Sequence, residues 1–219
     1  MGIPVLIMGE SGSGKSSSLR NFEPEEIGIF NVAGKPLPFR KKLPSFNNAG
    51  YDLIHNRLEN PTRKVYVIDD SQYLLAFEFF NRAKEVGYNK FTELALHFRN
   101  LIQTVICNTP PDVIVYFLHH TETTSNGRTK AKTIGKMLDD QLTVEGLFSI
   151  VLICQTDGKS HNFVTQSDGF TTAKSPMEMF DPVIDNDLKM VDTKIREYYE
   201  LISTADTTAE NSEGGNNNG

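Results

Sequence analysis

The chain has 219 residues, a formal net charge of -6, 38% hydrophobic residues and 23% charged residues. This length suits one domain with a full core and at most a small appendage. The net negative charge excludes a protein whose whole surface is basic, so a nucleic-acid site would have to be a local basic patch. The two cysteines, Cys107 and Cys154, indicate neither a disulfide framework nor a cysteine metal site.

The N-terminal stretch MGIPVLIMGES predicts a core strand. It lacks the basic leader of a secretory signal peptide and runs straight into a glycine-rich loop. No apolar run in the sequence approaches the roughly 20 residues that span a bilayer. We therefore expect a cytoplasmic protein that has no membrane partner.

Short apolar, β-branched runs alternate with helical patterns, which is typical of an α/β protein with a parallel sheet. The five predicted strands are 3–8, 27–32, 65–68, 113–118 and 148–154. Two helices are predicted between the third and fourth strands. The first, over about 71–86, is apolar on most sides, and the second has an apolar stripe that includes Phe91, Phe98 and Val105.

The residues after the fifth strand predict a β-hairpin, because turn-forming residues at 157–160 separate two β-like stretches. A closing helix is predicted over about 185–202. From Ser203 onward the composition falls to Thr, Glu, Asn and Gly, which cannot bury a core. We therefore predict one folded domain over 1–202 and a disordered acidic and polar tail over 203–219.

The segment GESGSGKS, residues 9–16, matches the phosphate-loop pattern G-x-x-x-x-G-K-[ST] at every fixed position. A predicted strand leads in and a predicted helix leads out, and backbone N–H groups in such a loop bind phosphate oxygens. We expect Lys15 to reach the β- and γ-phosphates and the Ser16 hydroxyl to bind Mg²⁺. The candidate nucleotide-binding residues are Gly9, Glu10, Ser11, Gly12, Ser13, Gly14, Lys15, Ser16 and Ser17.

Two carboxylates end the predicted strand in KVYVIDD. Asp69 is the candidate to hold Mg²⁺ through its water shell, as phosphoryl-transfer sites require. Asp70 could orient the attacking water or act as general base, or it could simply cap the following helix. Glu78 and Glu10 are weaker candidates for the base.

Adjacent histidines, His119 and His120, end the predicted strand in VIVYFLHH. One of them, His120 or His119, is a candidate to sense the γ-phosphate, because this strand is expected to lie beside the strand of Asp69. A metal site is disfavoured. Adjacent side chains on a strand point to opposite faces, and no third ligand is spaced nearby.

A locally basic segment, 121–136, follows the histidines and is predicted to be a mobile loop. Such a loop can neutralise nucleic-acid phosphates without reading bases, although a solvated surface loop is the ordinary interpretation. No stacking aromatic lies within it, so Phe163 and Phe170 of the predicted hairpin are candidates for stacking or for the core. A second basic run, 40–42, lies in a proline-rich surface or edge segment. The candidate DNA-binding residues are Arg128, Lys130, Lys132 and Lys136.

In this order, GESGSGKS, VYVIDD, YFLHH, TIGKMLDDQLTVEGLF and TTAKSPMEMF resemble phage-encoded RecA-like ATPases of the Sak type. The likeness covers about 2–199. It implies a RecA-like P-loop NTPase fold, a three-layer α/β sandwich with a mainly parallel central sheet and a C-terminal β-hairpin. It also implies ATP and Mg²⁺ as cofactors, and work on single-stranded DNA in phage recombination or replication, in the cytoplasm of the bacterial host.

The resemblance further implies a homo-oligomer, either a ring or a filament, and phage single-strand-binding or replication proteins as partners. It makes Lys174 a candidate catalytic residue that reaches the γ-phosphate of a neighbouring subunit, and the basic segment a DNA-binding loop. The chain departs from RecA at the strand in IGIFNVAGKP, which has no carboxylate at its end. The general base must then be Asp70 or another residue, or hydrolysis is slow.

Two other classes of function remain open. One is a nucleotide-gated adaptor or helicase-loader-like module with little hydrolysis. The other is a small-molecule kinase, which is less favoured because such enzymes carry an arginine-rich lid late in the chain. Here only Arg196 follows Arg128.

Overall fold

The computed structural model of the protein describes residues 1–135 and 142–201. The predicted tail over 203–219 and the predicted DNA contact Lys136 lie outside these described residues. Within them, no helix is both long enough and apolar enough to cross a lipid bilayer.

The described residues contain nine strands and four α-helices. The strands are β1 (Ile3–Gly9), β2 (Ile27–Asn31), β3 (Ser45–Asn47), β4 (Val65–Asp69), β5 (Ile114–Thr123), β6 (Thr129–Ala131), β7 (Ile150–Thr156), β8 (His161–Val164) and β9 (Val183–Asp185). The α-helices are α1 (Tyr51–Glu59), α2 (Gln72–Asn81), α3 (Asn89–Asn108) and α4 (Leu188–Tyr198). Two 3₁₀ helices span Ser16–Asn21 and Val144–Leu147.

The strands form one mixed, largely parallel sheet in the order β3-β2-β4-β5-β1-β7-β8-β9, with β6 paired to the end of β5. The six strands from β3 to β7 in this order are parallel, and β8, β9 and β6 add antiparallel pairs. The central strand β5 therefore lies between β1 and β4. This order brings the carboxyl ends of β1, β5 and β4 to one edge of the sheet.

The sheet is buried on both faces, as parallel sheets are in α/β proteins. Along β1, Leu6 and Met8 belong to the core under α1, α2 and α3, whereas Val5 and Ile7 belong to the core under α4 and the 3₁₀ helix Ser16–Asn21. The architecture is thus a three-layer α/β arrangement, in agreement with the α/β prediction.

A buried polar network fastens α4 to the amino ends of β4 and β5. The hydroxyl of Tyr116 donates to Asp192 Oδ1 over 2.9 Å, and Arg196 Nε donates to Asp192 Oδ2 over 2.7 Å. Arg196 also donates to the carbonyls of Asp112 and Lys64. Arg196 is therefore committed to the fold, at the edge of the sheet opposite to the phosphate loop.

All five predicted strands are present, but the segment between β2 and β4 differs from expectation. It contains the short edge strand β3 and the helix α1, neither of which was predicted. Only Ile54 and Leu58 of α1 are buried, which is too few to give a visible apolar stripe. The predicted helix 71–86 ends earlier, at Asn81.

The helix predicted after the phosphate loop is a 3₁₀ helix. The run of three serines explains this, since the Ser18 hydroxyl donates to the Lys15 carbonyl over 2.6 Å and competes with regular helix bonding. Pro24 then prevents continuation of the helix.

The predicted mobile loop 121–136 is wrong over 121–131, because these residues form the β5–β6 hairpin. Thr121, Glu122 and Thr123 pair with Ala131, Lys130 and Thr129. The turn contains Gly127 at φ 79°, and Thr124 Oγ1 accepts a hydrogen bond from the Arg128 N–H. Asn-Gly is a common hairpin turn, so the signal was present in the sequence.

The predicted C-terminal hairpin is confirmed as β7–β8. Its turn is closed by Asp157, whose carboxylate accepts hydrogen bonds from the N–H groups of Lys159 and Ser160 at 2.8 and 2.7 Å. The strand β9 adds a third member that pairs with β8.

Candidate nucleotide-binding site

The phosphate loop leaves the carboxyl end of β1 at the edge where β5 and β4 also end. Gly9 is in register with His120 of β5, and Ile68 of β4 is in register with Phe117. Parallel pairing therefore brings the loop, the two histidines and the carboxylates of β4 together, although up to 111 residues of sequence separate them.

The loop needs glycine at Gly14. This residue has φ 101°, and a Cβ there would lie 2.8 Å from Nδ1 of His161. The imidazole of His161 donates to the Ser13 carbonyl over 2.7 Å, so the β7–β8 hairpin braces the loop from its outer side. The thiol of Cys154 also points at the Ser13 carbonyl, at 3.0 Å, and burial raises the pKa of Cys154 to about 11. This thiol is therefore a structural donor and not a reactive one.

The side chain of Lys15 is enclosed by the phosphate loop. Its Nζ donates to the carbonyls of Gly9 and Glu10, both over 2.8 Å, and the residue is 6% exposed. Burial lowers the pKa of Lys15, while Asp70 and Asp69 oppose that shift. An ammonium group that donates to two neutral carbonyls can exchange these hydrogen bonds for stronger ones to phosphate oxygens.

Ser16 and Asp69, predicted as the magnesium ligands, are in direct contact. The Ser16 hydroxyl donates to Asp69 Oδ1 over 2.8 Å. Burial raises the pKa of Asp69, and the hydrogen bond from Ser16 counteracts the shift.

This pair fits Mg²⁺, which takes one or two protein oxygens and completes its octahedron with water and phosphate oxygens. A site made wholly of protein side chains is not indicated. Within 1–135 and 142–201, no cluster of three or more His, Cys, Asp or Glu residues could hold a metal ion.

The carboxylate of Asp70 is held by two neighbouring side chains. Its Oδ2 lies 2.8 Å from Lys35 Nζ, and its Oδ1 lies 3.1 Å from Nε2 of His120. Burial alone would raise the pKa of Asp70, but His120 and Lys35 lower it to about 2. The carboxylate is thus ionised and weakly basic in this arrangement. The interpretation of Asp70 as a helix cap is wrong, because its side chain contacts Lys35 and no side chain caps the start of α2.

The two histidines have different surroundings. His119 is fully buried; its Nε2 donates to the Lys132 carbonyl over 2.9 Å, and its Nδ1 lies 2.9 Å from the Ser71 hydroxyl. Burial lowers the pKa of His119 to about 4, so the ring is neutral and serves the fold.

His120 lies at the edge of the sheet, with its ring edge-on to Tyr73 at 5.6 Å between centroids. Its Nε2 is buried without a hydrogen bond, because Asp70 Oδ1 is close but not aligned with the ring N–H. Of the two candidate sensors, His120 is therefore the one with a polar atom left for a ligand.

Glu78, the weaker base candidate, lies elsewhere. Its Oε1 contacts Arg82 at 3.2 Å and His97 at 2.8 Å, in a cleft of about 1150 Å³ that α1, α2 and α3 line. Glu10 has an exposed side chain, and it contributes its carbonyl to Lys15. Neither carboxylate is brought to the pair formed by Ser16 and Asp69.

The basic residues of the β5–β6 hairpin are only partly available. Arg128 and Lys132 are exposed and form no ion pair with any residue in the described part of the chain, whereas Lys130 pairs with Glu122 at 2.9 Å. Phe170 is 63% exposed, and its carbonyl accepts a hydrogen bond from the Thr129 N–H over 2.8 Å, so this ring lies beside the hairpin. Phe163 is fully buried and belongs to the core.

The remaining basic candidates lie away from the loop. Lys174 pairs through its backbone with Val151 of β7, and its side chain makes no hydrogen bond or ion pair with a described residue. In the second basic run, Lys41 is paired with Glu23 at 2.9 Å. The role of Lys174 toward a neighbouring subunit stays a prediction.

Two side chains at the site were not found by sequence reasoning. Lys35 follows Gly34 in the loop after β2, and His161 begins β8. Each acts through a contact with a residue that is distant in sequence, and no local motif marks either one. The only available signal for Lys35 is the pair Gly34-Lys35 soon after a buried strand.

Replacement of His119 with glutamine should flatten the pH dependence of stability. A neutral buried histidine favours the folded state above its unfolded pKa near 6.5, and this advantage is lost as the pH falls toward 4. Between pH 7 and 5, the wild-type free energy of unfolding should fall by about 2 kcal/mol more than that of the variant. Urea denaturation at both pH values measures this difference, and His97→Gln is the control because His97 is half exposed. Equal slopes in wild type and His119→Gln would contradict the structural role.

No protein-family model matches this chain, and no curated protein is similar enough to count as a relative. These two comparisons therefore add nothing about activity. The interpretation of the site rests on the contacts of Lys15, Ser16 and Asp69 and on the strand order that produces them.

Proposed function

We propose that this chain is a Mg²⁺-dependent ATPase of the RecA-like kind that acts on single-stranded DNA. The observation that carries the proposal is the 2.8 Å hydrogen bond between Ser16 and Asp69. It joins the last residue of a complete phosphate-loop motif to a buried carboxylate from another strand. A Gly/Ser turn that matched the motif by chance would not be expected to contact a buried carboxylate from another strand.

Each residue of the site has a separate role in the transfer of a phosphoryl group from ATP to water. Backbone N–H groups of the loop hold phosphate oxygens. Lys15 replaces its hydrogen bonds to two carbonyls with contacts to the β- and γ-phosphates. Ser16 and Asp69 would hold Mg²⁺, which would neutralise part of the charge of the phosphates. His120 and Asp70 face the place of the terminal phosphate and orient the attacking water.

The strand order supports the RecA-like assignment. Because β5 lies between β1 and β4, a side chain from the end of β5 is available between the phosphate loop and the carboxylates. His120 is that side chain, and its Nε2 lies 3.1 Å from Asp70 Oδ1 without a well-aligned hydrogen bond to any described residue. A sensor of the γ-phosphate needs this position and a polar atom that can turn to the phosphate.

The β5–β6 hairpin supports single-stranded DNA as the partner. Arg128 and Lys132 offer exposed positive charge in an acidic protein, and Phe170 offers an exposed ring beside them. Charge and stacking together are the usual means of binding single strands without sequence preference. The Lys132 backbone also bonds to His119 and His120, so the hairpin is joined directly to the strand of the sensor.

The biological setting follows from the resemblance described above. We propose a role in phage recombination or replication in the host cytoplasm, with ATP and Mg²⁺ as cofactors. We also propose a ring or filament of identical subunits in which Lys174 reaches the neighbouring site. Phage single-strand-binding or replication proteins are the proposed further partners.

One observation favours a nucleotide-gated adaptor as the second candidate. Asp70 is held ionised by Lys35 and His120, which lower its pKa to about 2, so the free protein has a poor general base. Such a protein would bind ATP, change its contact with DNA or a partner, and hydrolyse slowly. The small-molecule kinase is less favoured, because Arg196, the only arginine after Arg128, is hydrogen-bonded to Asp192 and to backbone carbonyls and cannot act as a lid residue.

Steady-state ATP hydrolysis at low salt, with and without single-stranded DNA, should show stimulation by DNA. Lys15→Ala should reduce the rate by on the order of 10²-fold, the usual effect of losing one fixed electrostatic donor. Lys174→Ala should remove the stimulation if the site is completed between subunits. Tight ATP binding without hydrolysis would favour the adaptor, and labelled phosphate transferred to a nucleoside would favour the kinase.

Phe170→Ala should weaken binding of a labelled single-stranded oligonucleotide by about 5- to 150-fold, since stacking on one aromatic ring contributes about 1–3 kcal/mol. Fluorescence anisotropy at fixed salt measures the affinity. Phe80→Ala is the matched control, because Phe80 is 70% exposed but belongs to α2. Equal affinities of the two variants would argue against the hairpin as the DNA site.

A further inference from the structure

A lysine outside the phosphate-loop motif reaches the same edge of the sheet from the opposite side. Lys35 Nζ lies 2.8 Å from Asp70 Oδ2. The order β1, β5, β4, β2 sets Lys15 at one end of the site and Lys35 at the other, with His120 and Asp70 between them. A phosphate in contact with both Lys15 and His120 would therefore have its free side toward Lys35.

The backbone at Lys35 is fixed by Asn31, the last residue of β2. Asn31 Nδ2 donates to the Lys35 carbonyl over 2.6 Å, and Asn31 Oδ1 accepts from the Lys35 N–H at 3.2 Å. Gly34 permits the turn between them, since its φ is 66°. Asn31 is only 4% exposed and is itself in register with Asp69. The start of the lysine side chain is therefore positioned by the core of the sheet.

Two ammonium groups and two carboxylates share this electrostatic environment. Burial is the main cause that lowers the pKa of Lys15, and Lys35 lowers it further. The hydrogen bond to Asp70 raises the pKa of Lys35, and Asp69 adds to that effect. The formal charges of these four groups sum to zero.

The ammonium group of Lys35 is able to change partners. Its side chain is 58% exposed, and exposed ion pairs contribute little to stability. Its Nζ also lies 4.9 Å from the centre of the Tyr73 ring, which keeps the cation near the site by a cation–π contact. Asp70 is the fixed member of the pair, because its side chain is 14% exposed and its Oδ1 abuts His120.

We propose that Lys35 is a γ-phosphate ligand supplied by the same chain as the phosphate loop. It rests on Asp70 in the free protein and turns to the terminal phosphate when ATP binds, so ATP is held more tightly than ADP. This inference depends on the nucleotide binding proposed above. It differs from the role of Lys174, because recognition of the terminal phosphate by Lys35 needs no neighbouring subunit.

The test is the affinity of Lys35→Ala for ATP and for ADP, both with Mg²⁺, measured by isothermal titration calorimetry. The dissociation constant for ATP should rise by about 10- to 100-fold, the usual range for one hydrogen bond to a charged group. The dissociation constant for ADP should change by less than about twofold, because ADP has no γ-phosphate for Lys35 to contact. Lys35→Arg should restore most of the preference for ATP.

Lys64→Ala is the matched control. Lys64 is also an exposed lysine paired with an aspartate, Asp112, but it precedes β4 at the other edge of the sheet. Its affinities for ATP and ADP should equal those of the wild type. Thermal unfolding of each variant without nucleotide shows whether the fold is kept.

A double variant separates contact from repulsion. Lys35→Ala alone leaves the Asp70 carboxylate unpaired, and this charge would itself repel the terminal phosphate. Lys35→Ala combined with Asp70→Asn removes that repulsion, so the inference predicts that the preference for ATP stays lost. Recovery of the preference in the double variant would mean that Lys35 only neutralises Asp70, and the inference would be overturned.

Other outcomes also distinguish the two proposals. Equal weakening of ATP and ADP in Lys35→Ala, or no change in either, would overturn the role of Lys35 and leave nucleotide binding intact. Wild-type protein that binds neither nucleotide would overturn the proposed function as well.

Discussion

The insertion of β5 between β1 and β4 is the constraint on which the candidate site depends. Parallel pairing sets Gly9 beside His120, and β4 then ends one strand further along. Each strand is buried on both faces, so a shift of register by one residue would exchange the two cores. Packing that the apolar residues impose therefore also fixes the distance between the phosphate loop and the carboxylates.

The charges at the edge are held in pairs that a ligand can rearrange. Lys15 is bonded to two carbonyls, Ser16 to Asp69, and Asp70 to Lys35. In each pair, a group that phosphate or Mg²⁺ would bind is held by a contact within the protein. Because hydrogen bonds to charged groups are the strong ones, phosphate and Mg²⁺ are able to replace these internal contacts.

Local patterns carried most of what could be predicted, and contacts between distant segments carried the rest. The phosphate loop and Asp69 follow from a motif and from a short apolar strand, and the structure brings them together. Lys35 was missed because its role depends on Asp70, a partner that follows another strand and is 35 positions away in the sequence. The hairpin at 121–131 was mistaken for a mobile loop because its charge and hydroxyl content outweighed the Asn-Gly turn signal. The helix α1 has only two buried residues, so its periodicity is weak.

We propose that Ser16 and Asp69 together hold Mg²⁺ beside the phosphate loop. The most direct test of this proposal is the affinity for ATP with and without Mg²⁺, measured for the wild type and for Asp69→Asn, which preserves the shape of the side chain. Mg²⁺ should strengthen ATP binding to the wild type by about 10- to 100-fold more than to the variant, the usual effect of losing one partner of a metal site. An ATP affinity that is the same with and without Mg²⁺ in both proteins, or no ATP binding at all, would contradict a magnesium site at Ser16 and Asp69.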